Sequence, residues 1–240
     1  RATHRLRKKH GPRIHSKSKT ISRRSIVRKP TTLTNHPDRP PHNNGVIASS
    51  IFRTARSCRR SILLILLSAP FFTYGVLVFR FATNIPYQDD FDAALDFMNQ
   101  FTHSTTLVKR VKLIDMQHNE HRIVLDRLVF LGSYYLQTRV NFRTAIIFGN
   151  VGWLLTTAAL MTIAHRHFRL SLPRLLPIPY ILLSFVHYEN MFFAMAAIQN
   201  YWFIFLSVLF LYWLTTARPL GYLAVLFPIT LFTSGGGLAL

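Results

Sequence analysis

ILLILLSAPFFTYGVLVF, residues 62–79, is an eighteen-residue run without a charged side chain. At about 1.5 Å rise per residue, a helix of that length spans roughly 27 Å, close to the hydrocarbon thickness of a bilayer. Pro70 sits inside the run as a candidate kink. Arg80 follows the run, with a stem long enough to reach an interface. The stretch reads as a first transmembrane helix, and it sets the terms for everything around it. Further along, 145–164 is a second apolar run, closed by His165, Arg166, His167 and Arg169. Between Arg174 and Arg218 no basic residue intervenes, which leaves room for one crossing and a return. The turn between them is expected near Gln199 and Asn200, because 201–215 is again apolar, and a fifth span is expected to start at Leu220. The expected fold class is all-α, a polytopic transmembrane bundle of about five spans.

Charge gives the expected sidedness. The chain carries a formal net charge of +20, yet half of its residues are hydrophobic, so the two properties must be segregated. Of 29 Lys and Arg, 17 fall in the first 60 residues, beside the single acid Asp38. Residues 1–60 have too few large apolar side chains to offset the entropy of ordering, and they read as a basic, disordered cytoplasmic tail. An Arg-rich, acid-poor start also fits an organellar transit peptide. The loop 84–143, by contrast, holds seven basic and seven acidic residues. By the positive-inside rule the N-terminus is cytoplasmic, and that loop faces the periplasm or the exterior of a multi-pass cell-membrane protein. Domain 61–240 ends in an apolar context at Gly235, Gly236 and Gly237, so the sequence is expected to be an N-terminal piece of a longer chain.

Three polar groupings on the outer side can carry chemistry. Asp89 and Asp90 open a segment, 89–102, expected to be an amphipathic helix with Phe91, Ala94, Leu95, Met98 and Phe101 on one face and Asp89, Asp92 and Asp96 on another. Adjacent carboxylates repel, so one of them can hold its proton to higher pH. The pair could serve as a base or hold a divalent cation such as Mg or Mn. It could equally cap a helix start. The second grouping runs Gln117, His118, Asn119, Glu120, His121, Arg122. On a helix His118, His121 and Arg122 would share a face, and Arg122 would pair with Asp126 four residues on. His-x-Glu-His is not the spacing of a zinc peptidase. The third comprises His187, Tyr188, Glu189 and Asn190, with Gln199 and Asn200 beyond. Ionisable residues near membrane depth usually face a cavity or a partner. Because Glu189 is assigned to the same side as Asp89 and Asp90, those two groupings are candidates to converge on one site.

At Pro86-Tyr87-Gln88-Asp89-Asp90, at His118-Asn119-Glu120-His121-Arg122, and at Tyr188-Glu189-Asn190 with Gln199-Asn200, the chain resembles bacterial multi-span proteins related to the GT-C type glycosyltransferases. The likeness covers roughly residues 60–240. It implies a transferase that takes a sugar from a polyprenyl-phosphate donor and passes it to a hydroxyl of a glycan or lipid acceptor on the outer face. An Asp of the first outer loop would act as base, here Asp89 or Asp90. His118, Glu120, His121 and Arg122 would hold acceptor or donor phosphate, with Glu189, Asn190 and Gln199 as further contacts. The expected partners are therefore the bilayer, the lipid-linked donor and the acceptor, and no specific nucleic acid. A transporter, or a non-catalytic membrane component that binds a partner or a glycan, is the alternative.

Overall fold

The computed structural model describes residues 44–119, 121–216 and 219–234, nearly all of them within one compact unit, Ile47–Leu240. Most of the basic tail, and Glu120 and Arg218, lie outside the described residues. The described chain is helical apart from a two-stranded hairpin. Three helical stretches are long and apolar enough to cross a membrane: Ser57–Phe81, Phe142–Arg166 and Ala194–Thr215. The chain thus has the character of a membrane protein, as its composition led one to expect.

The first span is part of α1, Asn44–Phe81. It begins well inside the stretch expected to be disordered, because extending an existing helix by a residue costs far less than nucleating one. Apolar side chains cover the outward face as well as the inward one. Ile65, Phe72 and Phe79 are all more than 60% exposed, the pattern of a helix that is apolar all round, as membrane-spanning helices are. Pro70 has no amide proton to offer the Leu66 carbonyl four residues back. The Tyr180 hydroxyl donates to that same carbonyl at 3.2 Å, so a distant segment replaces the missing bond.

After α1 the chain turns through Gln88, at φ +46°, into one π-helical turn, Phe91–Asp96, continued by α2, Phe97–Thr102. The π turn inserts an extra residue and rotates the helix beyond it. The buried face is therefore Asp90, Ala93, Ala94, Phe97, Met98 and Phe101, whereas Phe91 and Leu95 are exposed, contrary to the simple helical stripe. Asp89, Asp92 and Asp96 are exposed, as their spacing suggested. Next come α3, Leu107–Asp115, capped by Thr106, and the hairpin of β1, Gln117–His118, with β2, His121–Arg122. The face that His118, His121 and Arg122 would share on a helix is therefore not formed, because the segment is a hairpin. Its tip residue Asn119 adopts φ +50°, a conformation Asn tolerates better than most.

Helix α4, Val124–Gln137, leads to α5, Phe142–Arg166, whose start is fixed twice. The Asn141 side chain accepts from Thr144 N, and Asn84 Oδ1 accepts from Phe142 N at 2.8 Å. From Arg166 the chain returns along α5 as short pieces: α6, Leu172–Leu175; α7, Pro177–Leu182; a 3₁₀ turn, Phe185–His187; and α8, Tyr188–Phe192. Pro173, Pro177 and Pro179 all sit in the first turns of α6 and α7, where proline is tolerated, and the helical path ends at Leu183 and Ser184, the latter in extended backbone, so the expected third span is not a helix of spanning length. The path is still anchored along α5. Trp153 Nε1 donates to Leu182 O at 2.7 Å, and buried Asn150 donates to Met191 O while accepting from the Tyr74 hydroxyl of α1.

The reversal falls at Phe193, in extended backbone, and not at Gln199 and Asn200. Those two residues lie in a π turn, Ala197–Tyr201, within one helical run formed by α9, Ala194–Ala196, that turn, and α10, Trp202–Thr215. Their polarity was misread as a loop signal. It is satisfied inside the bundle, Gln199 by Ser234 and Asn200 by Asn190. This run packs on α5 through small residues. A Cβ on Gly149 would stand 2.6 Å from Ala197, and one on Gly152 would stand 3.1 Å from Trp202. Glycine at both positions lets the backbones approach as closely as membrane helices commonly do. Trp202 stacks on Phe148, and Trp153 on Tyr201, to seal the contact. Finally α11, Leu220–Leu231, packs on α10, and Phe232 O accepts from Val124 N, which brings its end to the start of α4.

Candidate functional site

The end of the bundle at which α5 begins collects the acidic loop, the hairpin and the 188–195 segment. Asp90 is the pivot. Only 1% exposed, it accepts from Tyr87 N at 3.1 Å through Oδ2 and from Met195 N at 3.0 Å through Oδ1. The second bond joins residues 105 apart in sequence. Beside it Tyr87 meets Phe193 edge to face, with ring centroids at 5.6 Å. Ala93 and Met195 close over Ile123 at the base of the hairpin. Two of the expected groupings, Asp89 with Asp90 and the stretch after Tyr188, are thus brought together by main-chain hydrogen bonding and packing.

The two aspartates do different work. Burial raises the Asp90 carboxyl to about 6, the Asp89 charge adds to the rise, and the amides of Met195, Tyr87 and Ala194 oppose it. Asp89 is exposed, and its carboxylate has no hydrogen-bond partner among the described residues. A base has to reach its proton, so Asp89 has the access and Asp90 has the fixed position. With both oxygens of Asp90 turned to main-chain amides, the pair does not offer two free carboxylates to one ion. Among the described residues, no three His, Cys, Asp or Glu come together as a metal-binding group.

Sequence reasoning passed over Asp126. Expected to pair with Arg122, it is instead fully buried on α4, and both its oxygens lack a hydrogen-bond partner among the described residues. Burial holds its carboxyl well above the ordinary carboxylate range, and the nearby Asp90 charge pushes the same way. Arg122 pairs with Asp115 at 2.7 Å and lies 5.7 Å over the Phe232 ring. The hairpin draws Arg122 back toward α3, away from the following helix. Arg127, also buried, donates to the carbonyls of Ile114 and Met116 and so caps the end of α3, with its guanidinium 5.3 Å over Phe97. The signal in the sequence was a lone Asp-Arg pair inside an apolar helix, which i, i+4 bookkeeping explained away.

Of the remaining expected residues, His118 and His121 face each other across the hairpin. Each keeps one buried ring nitrogen, Nε2 and Nδ1 respectively, without a partner among the described residues. Glu189 is exposed and accepts from the Tyr188 hydroxyl at 3.2 Å. Asn190 is bound by Asn200, and Gln199 is buried against Ser234, so neither is presented to a ligand as a free group. Beside the hairpin a cavity of about 400 Å³ opens between α3, α4 and α11, walled by Val111, Ile114, Leu125, Leu128, Ile229 and Phe232. No family model matches the sequence, and neither a curated protein nor a solved structure matches the chain.

Proposed function

We propose that the chain belongs to a polytopic membrane glycosyltransferase of the GT-C type, which moves a sugar from a polyprenyl-phosphate donor to an acceptor hydroxyl. The observation that carries the reading is the acidic first loop locked to the bundle. Asp90 bonds to Met195 N and holds its neighbour Asp89 exposed at the rim. In this reading Asp89 takes the acceptor's proton as the acceptor oxygen bonds to the anomeric carbon. The bond from that carbon to the phosphate oxygen breaks, and the polyprenyl phosphate leaves with the electron pair. Asp90 is a positioning residue. Arg122, about half exposed beside the apolar cavity and paired with Asp115 through Nη1, donates to the phosphate through the guanidinium N–H groups that Asp115 leaves free, and the cavity takes the first isoprene units.

The same reading has five crossings: α1, α5, the interrupted path 172–193, the run Ala194–Thr215, and α11. Support for it comes from the anchoring of 172–193 along α5 by Trp153 and Asn150 and from the alternation of basic ends. The N-terminus is then cytoplasmic, and the Asp89 end faces outward. In the full-length protein, Asp89→Asn is expected to lower transfer by about 10²-fold or more with normal membrane insertion. Unchanged glycan products from that variant would remove the reading and leave a binding component in its place.

One feature favours a second reading. Interrupted helices at membrane depth, here broken at Ser184 and Phe193 just after the proline-bearing helix α7, also line the substrate paths of transporters. Uptake into proteoliposomes that contain no lipid-linked sugar would select the transporter.

A further inference from the structure

The opposite end of α5 carries a different site. Two clefts meet there at Leu172. One, of about 460 Å³, lies between α1 and α5, walled by Leu64, Leu67, Phe71 and Met161, with His165 and Arg166 at its edge. The other, of about 360 Å³, continues to Leu63, Pro173, Arg59 and Arg60. An apolar trough between two membrane-length helices thus ends among three guanidinium groups. Their charge is not cancelled locally: the sequence has no Asp or Glu from 39 to 88 or from 127 to 188. The ion pair found among the described residues, Arg122 with Asp115, is at the other end.

The turn after α5 adds to the same charge. Leu170 N reaches back to Ala164 O at 3.1 Å, closing the helix, and Arg169 takes φ +53° to make that possible. Glycine is the usual residue in that position, since a side chain there is strained. The sequence puts a cation at that point.

We infer that this trough is a binding site for an anionic phospholipid of the adjoining leaflet, the phosphate held by Arg59, Arg60 and Arg166 and an acyl chain lying along Leu64, Leu67 and Phe71. Charge complementarity selects the headgroup, because basic pockets between membrane helices recognise anionic lipid phosphates. The apolar walls select a lipid over a free phosphate, which gains nothing from them. The site does not depend on sugar transfer, being at the far end of α5 from Asp89.

The test uses the full chain in nanodiscs that hold phosphatidylglycerol and phosphatidylcholine in equal amounts, with native mass spectrometry reading the lipid retained. The wild type is expected to keep phosphatidylglycerol selectively. Each guanidinium removed should weaken retention about five-fold, so Arg59→Gln, Arg60→Gln and Arg166→Gln together should weaken it on the order of 100-fold. Ser68→Phe, at an exposed position lining the trough, should displace the lipid with every charge in place. Arg80→Gln with Arg139→Gln, exposed at the other end, should change nothing. Equal retention of phosphatidylcholine, an equal loss in the Arg80 and Arg139 variant, or no effect of Ser68→Phe would overturn the site. Competition by glycerol phosphate as strong as by the intact lipid would overturn it as well.

Discussion

Replacing Asp90 by Asn should flatten the dependence of stability on pH. The native carboxyl is raised from an ordinary 3.8 to about 6, chiefly by burial. At about 1.4 kcal/mol for each tenfold change in proton affinity, the difference is worth about 3 kcal/mol. The sign is set by which state holds the proton more tightly. The folded chain does, so its advantage is full below about pH 4 and is lost as pH rises through about 6. For a chain of this size 3 kcal/mol corresponds to roughly 6–12 °C in Tm. Thermal unfolding in detergent, followed by tryptophan fluorescence between pH 4 and pH 8, should show wild-type Tm falling by that order across the window. Asp90→Asn, unable to ionise, should lose most of the fall. Asp126, whose carboxyl burial still raises when the Asp90 charge is gone, leaves a residual slope of the same sign. An unchanged pH dependence in the variant would refute the assignment of a buried, proton-holding carboxyl to Asp90.

Other consequences can be checked in the same preparation. Asp126→Asn should keep stability at pH 7 within about 1 kcal/mol of wild type or raise it, since an amide resembles the protonated acid that burial favours. A loss of several kcal/mol would mean that the charged form is needed. Gly149→Leu should destabilise by about 1–3 kcal/mol, because even a Cβ there meets Ala197 backbone at 2.6 Å. A normal Tm for this variant would contradict the close packing of α5 on the run Ala194–Thr215.

The membrane character was legible because an eighteen-residue run without a charge has few other uses, and two of the three membrane-length helices fall where the apolar runs are. The acidic face of 91–102 was legible too, but its apolar stripe was not, because a π turn adds a residue that periodicity cannot foresee. Two errors share a cause. Gln199 with Asn200 was read from local polarity and Arg122 with Asp126 from local spacing, whereas the partners of Gln199, Asn200 and Arg122 come from elsewhere: Ser234, Asn190 and Asp115. The sequence brought Asp90 and the 188–195 segment to one side by counting charges, but only the fold could show that a main-chain amide, invisible to residue type, makes the join.

That join is the claim on which the site depends, and cross-linking tests it directly. With the sole cysteine removed as Cys58→Ser, Tyr87→Cys and Phe193→Cys replace two rings whose centroids lie 5.6 Å apart. A short bifunctional thiol reagent should link them within one chain in native membranes, and in the two single variants a membrane-impermeant reagent should label both positions from the same face. No link, together with labelling of the two positions from opposite faces, would contradict the site and the bundle that supports it.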